Sequence, residues 1–138
     1  MRQLALGILL ISTIACEHSP TGPAVPTTVS VAIVSMSPDP STPLSAGSTV
    51  TFTGKIAYSL ASVATGEVVI VIEDQGFHNL STNPQPTVNV SRGSGMVTLS
   101  DSVIIPASGT SRVFVFFPLA ATGSTNSLVA QSVTYTVR

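Results

Sequence analysis

From Ser48 to Leu60 apolar and polar side chains alternate. Val50, Phe52, Ile56, Tyr58 and Leu60 share one parity, while Thr49, Thr51, Thr53, Lys55 and Ser59 hold the other. A period of two sends successive side chains to opposite faces, so this stretch predicts a strand with one face buried. Near the end of the chain Val129, Val133, Tyr135 and Val137 alternate with Ser132, Thr134, Thr136 and Arg138 in the same way. A third series, Val97, Leu99, Val103 and Ile105, is interrupted by Asp101. Val29 to Val34 predicts a first strand, closed by Ser37-Pro-Asp-Pro-Ser-Thr-Pro43, whose prolines have no N–H to give a central ladder.

Two runs do not alternate: Val68-Val-Ile-Val-Ile72 and Val113-Phe-Val-Phe-Phe117. Short continuous apolar runs bounded by turns suit strands covered on both faces. With strands near 29–36, 48–60, 67–74, 87–91, 95–105, 111–117 and 126–137, separated by Gly-, Pro-, Ser- or Asn-bearing loops, the chain is expected to be all-β. About seven antiparallel strands in two sheets is the pattern of an immunoglobulin-like β-sandwich. In that arrangement Phe52, Ile56 and Tyr58 are expected to face Val133 and Tyr135 across the core. The two runs are then central neighbours in one sheet. Sending the larger Ile70, Ile72, Phe114 and Phe116 inward leaves Val69, Val71, Val113 and Val115 together outside, as a candidate partner-binding face. The competing expectation is that the N-terminal tether or the loop from Phe77 to Pro86 covers those valines.

Pro38-Asp-Pro-Ser-Thr-Pro-Leu-Ser-Ala-Gly-Ser-Thr-Val-Thr-Phe-Thr53, a proline turn, a glycine and an alternating second strand, resembles bacterial Ig-like or fibronectin III-like modules and, more loosely, the adhesion-related CARDB type. The Cys…Trp…Cys pins of antibody domains are absent. Ala61-Ser-Val-Ala-Thr-Gly66 stands where CARDB modules often have Asn-x-Gly.

Upstream of the strands the chain changes character. Met1 and Arg2 precede the apolar run Leu4 to Ile14, which has the layout of a secretory signal peptide and is too short for a spanning helix of about 20 residues. Thr13-Ile-Ala-Cys16 follows and resembles a bacterial lipoprotein lipobox, with Thr13 in place of the usual Leu. That resemblance implies cleavage before Cys16 and a diacylglyceryl thioether on its sulfur; the alternatives are ordinary cleavage after Ala15, which would leave a free thiol, and an uncleaved tail. Cys16 is the chain's sole cysteine, so no disulfide forms within it. The expected organisation is a signal peptide at 1–15, a lipidated Cys and flexible tether at 16–28, and one domain at 29–138. Three prolines in Glu17 to Thr28 suit a tether that would hold the domain about 35 Å from the membrane, at about 3.1 Å per residue. Glu17 after the cysteine resembles lipoproteins that are not retained at the inner membrane, so the expected address is the cell envelope, at the outer membrane.

Composition narrows the chemistry. Beyond the signal peptide the basic side chains are Lys55, Arg92, Arg112 and Arg138, unclustered and outnumbered by six acids, which argues against nucleic acid as a partner. His18 lies in the tether and His78 in the loop Gly76-Phe-His-Asn-Leu80. Neither stands in a Gly-x-Ser-x-Gly, Ser-x-x-Lys or His-Glu-x-x-His setting, so no catalytic residue and no cofactor is expected. Zinc would need more Cys and His than this. Calcium through oxygen ligands at Asp39, Glu73, Asp74 or Asp101, and a hydrolytic role, are remote alternatives. Carbohydrate platforms usually carry Trp or Tyr, whereas there is no Trp here and Tyr58 and Tyr135 lie on the core parity. The expected function is therefore a non-enzymatic envelope lipoprotein with an Ig-like module for protein contact or adhesion. A structural subunit that self-assembles is the alternative.

Overall fold

A computed structural model describes residues 26–138. The expectations for the signal peptide, Cys16, His18 and most of the tether lie outside the described residues. Six strands follow one another, β1 (Ser30–Ser37), β2 (Thr49–Val69), β3 (Val71–Asp74), β4 (Thr87–Ile104), β5 (Arg112–Ala121) and β6 (Ser127–Thr136), and no helix occurs among the described residues. All pairings between these strands are antiparallel, and the hydrogen bonds run through a single sheet in the order β1-β2-β5-β3, with β4 also on β2 and β6 also on β5.

Six strands replace the expected seven because two predicted loops are strand interior. The predicted strands at 87–91 and 95–105 are both part of β4, and 48–60 runs on into the start of the predicted 67–74 as β2. The β2–β4 ladder breaks register between Leu60 and Thr65, where Ala61 to Ala64 bulge opposite Arg92. A bulge bends a strand without ending it. Pro118 explains the other difference. Lacking an N–H, it stands where the β5 ladder lapses between Leu119, paired to Val68, and Phe116, paired to Val71. Ile70 falls in that gap and divides β2 from β3.

Hydrogen-bond continuity does not make the sheet flat. β1 lies against β5 and β6, with which it shares no ladder, so the sheet curls over its own apolar face. Phe52 on β2 and Tyr135 on β6, on strands that never pair, meet edge to face with ring centroids 5.0 Å apart. Phe52, Ile56, Leu60, Val68, Ile70, Ile72, Val113, Val115, Phe117, Leu119 and Tyr135 are fully buried around this contact. The alternation read in β2 and β6 holds here: Phe52, Ile56 and Tyr135 are core, with Tyr58 and Val133 half-buried at its margin. The Tyr135 hydroxyl donates to the Pro38 carbonyl at 2.8 Å, which ties the last strand to the turn after β1. Asp101, the residue that interrupted the third alternating series, keeps the inward parity and is buried. Its carboxylate accepts from the Thr82 amide (3.1 Å) and hydroxyl (2.9 Å).

The parity expected for β5 is reversed. Val113 and Val115 are fully buried, while Phe114 and Phe116 are half-buried on the other face. The reason is a hollow on β2. Gly54 occupies an inward position, and a Cβ placed there would overlap the Phe117 ring. Phe117 fills the space that Gly54 leaves, and odd-numbered residues of β5 must follow it inward.

Candidate interaction face

On the outward side of β3 and β5 the sequence leaves an apolar row. Phe114, Phe116, Pro118 and Ala120 project from β5 on the parity opposite to the core, and the ladder places Val71 beside Phe116 and Glu73 beside Phe114. Val69 and Val71 are half-buried here and line a cleft of about 390 Å³ with Gln85, Pro118, Ala120 and the turn before β6. Of the four valines expected outside, then, Val69 and Val71 are on this face and Val113 and Val115 are not.

The face extends beyond the strands because the loop after β3 adds a third phenylalanine. Phe77, 69% exposed, stacks on Phe114 with centroids 5.9 Å apart and planes within 9°, and Phe114 meets Phe116 at 6.1 Å. Phe77 has φ of 60°, a left-handed backbone that a bulky residue adopts only when its surroundings hold it there. What holds it is Asp74. One carboxylate oxygen accepts from the amides of Gly76 (2.7 Å) and His78 (3.0 Å), and the other accepts from His78 Nδ1 at 2.9 Å. The backbone closes the same loop, with the Phe77 amide donating to the Asp74 carbonyl and the Asp74 amide to that of His78. These donors hold the Asp74 carboxyl below the usual carboxylate range, the His78 amide foremost and its ring next. A Cβ at Gly76 would lie 2.8 Å from the His78 ring, so a side chain there would push that ring away from its place on Asp74. Gln75 pins the loop from behind, donating to the Gly109 carbonyl (2.9 Å) and accepting from the Ser111 amide and hydroxyl.

The loop from Phe77 to Pro86 covers a different residue from the valines expected. Phe77 lies over Phe114, but the rest of the loop runs along the edge of β3, where the Leu80 amide donates to the Ile72 carbonyl and the Ser81 hydroxyl accepts from the Ile72 amide. The loop thus closes an edge and contributes a ring to the face. Sequence reading missed Phe114, Phe116 and Phe77 as outward residues. No signal within β5 separates its two faces, since 114, 116, 118 and 120 are as uninterruptedly apolar as 113, 115, 117 and 119.

The acids considered as calcium ligands are dispersed or engaged: Asp39 accepts from Ser41, Asp74 holds its loop and Asp101 is bonded to Thr82. Among the described residues no three His, Cys, Asp or Glu side chains come together as a metal site.

The sequence matches no protein-family description and no curated protein. Among solved structures, the C-terminal domain of wzt is similar with a TM-score of 0.49 at 15% identity, over 86% of this chain and 83% of that one. A DUF4466 family protein from Parabacteroides merdae gives 0.33 at 15% identity, over 80% of this chain and 44% of that one. At this overlap neither likeness bears on what the chain binds.

Proposed function

We propose that this chain is a non-enzymatic, lipid-anchored cell-envelope protein whose immunoglobulin-like β-sandwich presents a protein-binding face at Phe77, Phe114, Phe116, Val69 and Val71. The observation that carries the reading is the aromatic row. Three phenylalanines share a surface, Phe114 and Phe116 on the β5 ladder and Phe77 on the loop after β3, and Phe77 is held there in a strained backbone by a carboxylate with three donors. Exposed apolar patches cost solubility and recur where a partner covers them, and strain that its surroundings maintain is a mark of binding sites. The curled sheet, with β1 over β5 and β6 and apolar parities turned inward, is in keeping with the sandwich.

The anchor is Cys16, after the signal peptide at 1–15, with the tether at 16–28 spacing the domain from the outer membrane. A thioether-linked diacylglycerol brings two chains, each adding about 0.8 kcal/mol per buried CH₂, enough for stable anchoring. Fatty-acid labelling of the native protein should be lost in Cys16→Ser, and an unmodified Cys16 in the mature protein would end the lipoprotein reading.

The face is tested in the envelope itself with a photo-crosslinking side chain at position 77. One discrete adduct is expected there, absent when the crosslinker stands at Thr51 on the far part of the sheet and absent again in Phe114→Ser/Phe116→Ser. An adduct indifferent to those two substitutions would put the contact elsewhere.

A further inference from the structure

The free edges of the sheet are not alike. β3 is covered by the chain from His78 to Pro86, whose backbone bonds to Ile70, Ile72 and Asp74. β1 carries a register shift between Ile33 and Ser35 and is followed at once by Pro38 and Pro40. β4 carries Arg92 in its length and turns Asp101 inward. Prolines, bulges and inward charges are the devices by which edge strands avoid pairing. β6, Ser-Leu-Val-Ala-Gln-Ser-Val-Thr-Tyr-Thr, has no charge, no proline and no glycine.

The free side of β6 can be read residue by residue. The Thr136 carbonyl accepts from the Leu44 amide, on the side away from β5. Hydrogen-bonding direction in an antiparallel strand repeats every second residue, so Thr134, Ser132 and Ala130 aim their N–H and C=O groups to that same side. Residues 44–46 cap only the end of the edge, through Thr136 and Arg138. Further along, no backbone hydrogen bond joins β6 to β1 among the described residues. A groove of about 540 Å³ lies there instead, with Ile33, Met36 and, at one end, Asp39 and Pro40 on one side and Gln131, Ser132 and Val133 on the other.

We propose that this edge is a homotypic docking site, at which a second copy of the chain pairs β6 to β6, antiparallel, about a two-fold axis at Ser132. That register uses all three open positions: Ser132 faces its own copy and Ala130 faces Thr134. An uncharged strand meets no like-charge repulsion on its two-fold mate, where a charged one would. The outward hydroxyls have a precedent within the chain, since β2 and β4 already pair Thr51 with Ser102 at 2.6 Å and Thr53 with Ser100 at 2.8 Å. The Pro-rich segment 17–28 is a poor strand donor, which leaves β6 of another copy as the fitting occupant. Because the two-fold stands perpendicular to the extended sheet, both aromatic rows would lie on one side of the pair.

The test uses the full chain expressed in cells. Ser132→Cys places two thiols opposite each other at a Cα separation of about 5.5 Å, within disulfide reach. Mild oxidation is expected to give a covalent homodimer that neither the wild-type chain nor Thr51→Cys gives. Ser132→Pro removes an N–H with no partner in the monomer, so the purified protein should keep its melting temperature while self-association weakens at least about tenfold. Should proline disturb the strand, Ser132→Lys sets like charges across the axis and should weaken association equally. No Ser132→Cys homodimer, a Ser132→Cys adduct solely with a different protein, or a dimer unchanged in Ser132→Lys would each overturn the proposal.

Discussion

Two side chains carry most of the local electrostatic consequence. Burial pushes the Tyr135 hydroxyl up to about 12, with the Asp39 carboxylate adding to the shift. An unfolded tyrosine ionises near pH 10, so the neutral form is favoured in the fold. The stability this contributes is intact below about pH 10 and is lost as the pH climbs through about 12. In a Tyr58→Phe background, tyrosinate absorbance should therefore rise late and together with loss of tertiary structure; a rise near pH 10 with the fold intact would put Tyr135 in water. Asp74 has the opposite sign. Its carboxyl is lowered below the ordinary 3.8, so its hold on the loop is complete above that value and fades as the pH falls further. Asp74→Ala should release the Phe77 backbone from its left-handed conformation at neutral pH, read as faster amide exchange at residues 76–78, with the global melting temperature little changed.

Among the elements, β5 is where the structure corrects the pattern. Its two faces are both apolar, but one is packed core and the other is the candidate face, and substitution separates them. Val115→Lys places an unpaired charge in a fully buried position and should leave no cooperative thermal transition, because an isolated buried charge costs more than a domain's total of about 5–15 kcal/mol can bear comfortably. Phe116→Ser, one residue away, loses only half-buried area and should melt within a few degrees of wild type, about 1 kcal/mol or less. Pairing Val71→Lys with Val115→Lys would thus unfold the domain through Val115, which makes it unfit as a probe of the face. A soluble, folded Val115→Lys would contradict the inward parity of β5.

At the scale of the molecule, closure of the curled sheet depends on contacts between strands that exchange no hydrogen bonds. Phe52 against Tyr135 is the central one. Phe52→Ala removes a fully buried ring and should cost about 3–5 kcal/mol, a large part of the stability of a small domain. Thermal unfolding measures it directly, and an unchanged melting temperature would mean that the two ends of the sheet close without this contact.

Alternation alone determined the β class, the inward faces of β2 and β6, and the core places of Phe52, Ile56 and Tyr135. A one-sided strand has a single way to bury its apolar residues, and the sequence states which. Where both faces of a strand are apolar, as from Val113 to Phe117, periodicity holds no information about direction. That choice fell to the hollow at Gly54, on a strand far away in sequence, and to the ring of Phe117 that fills it; only the tertiary structure brings the two together, because fit between distant strands leaves no mark on the pattern of either one.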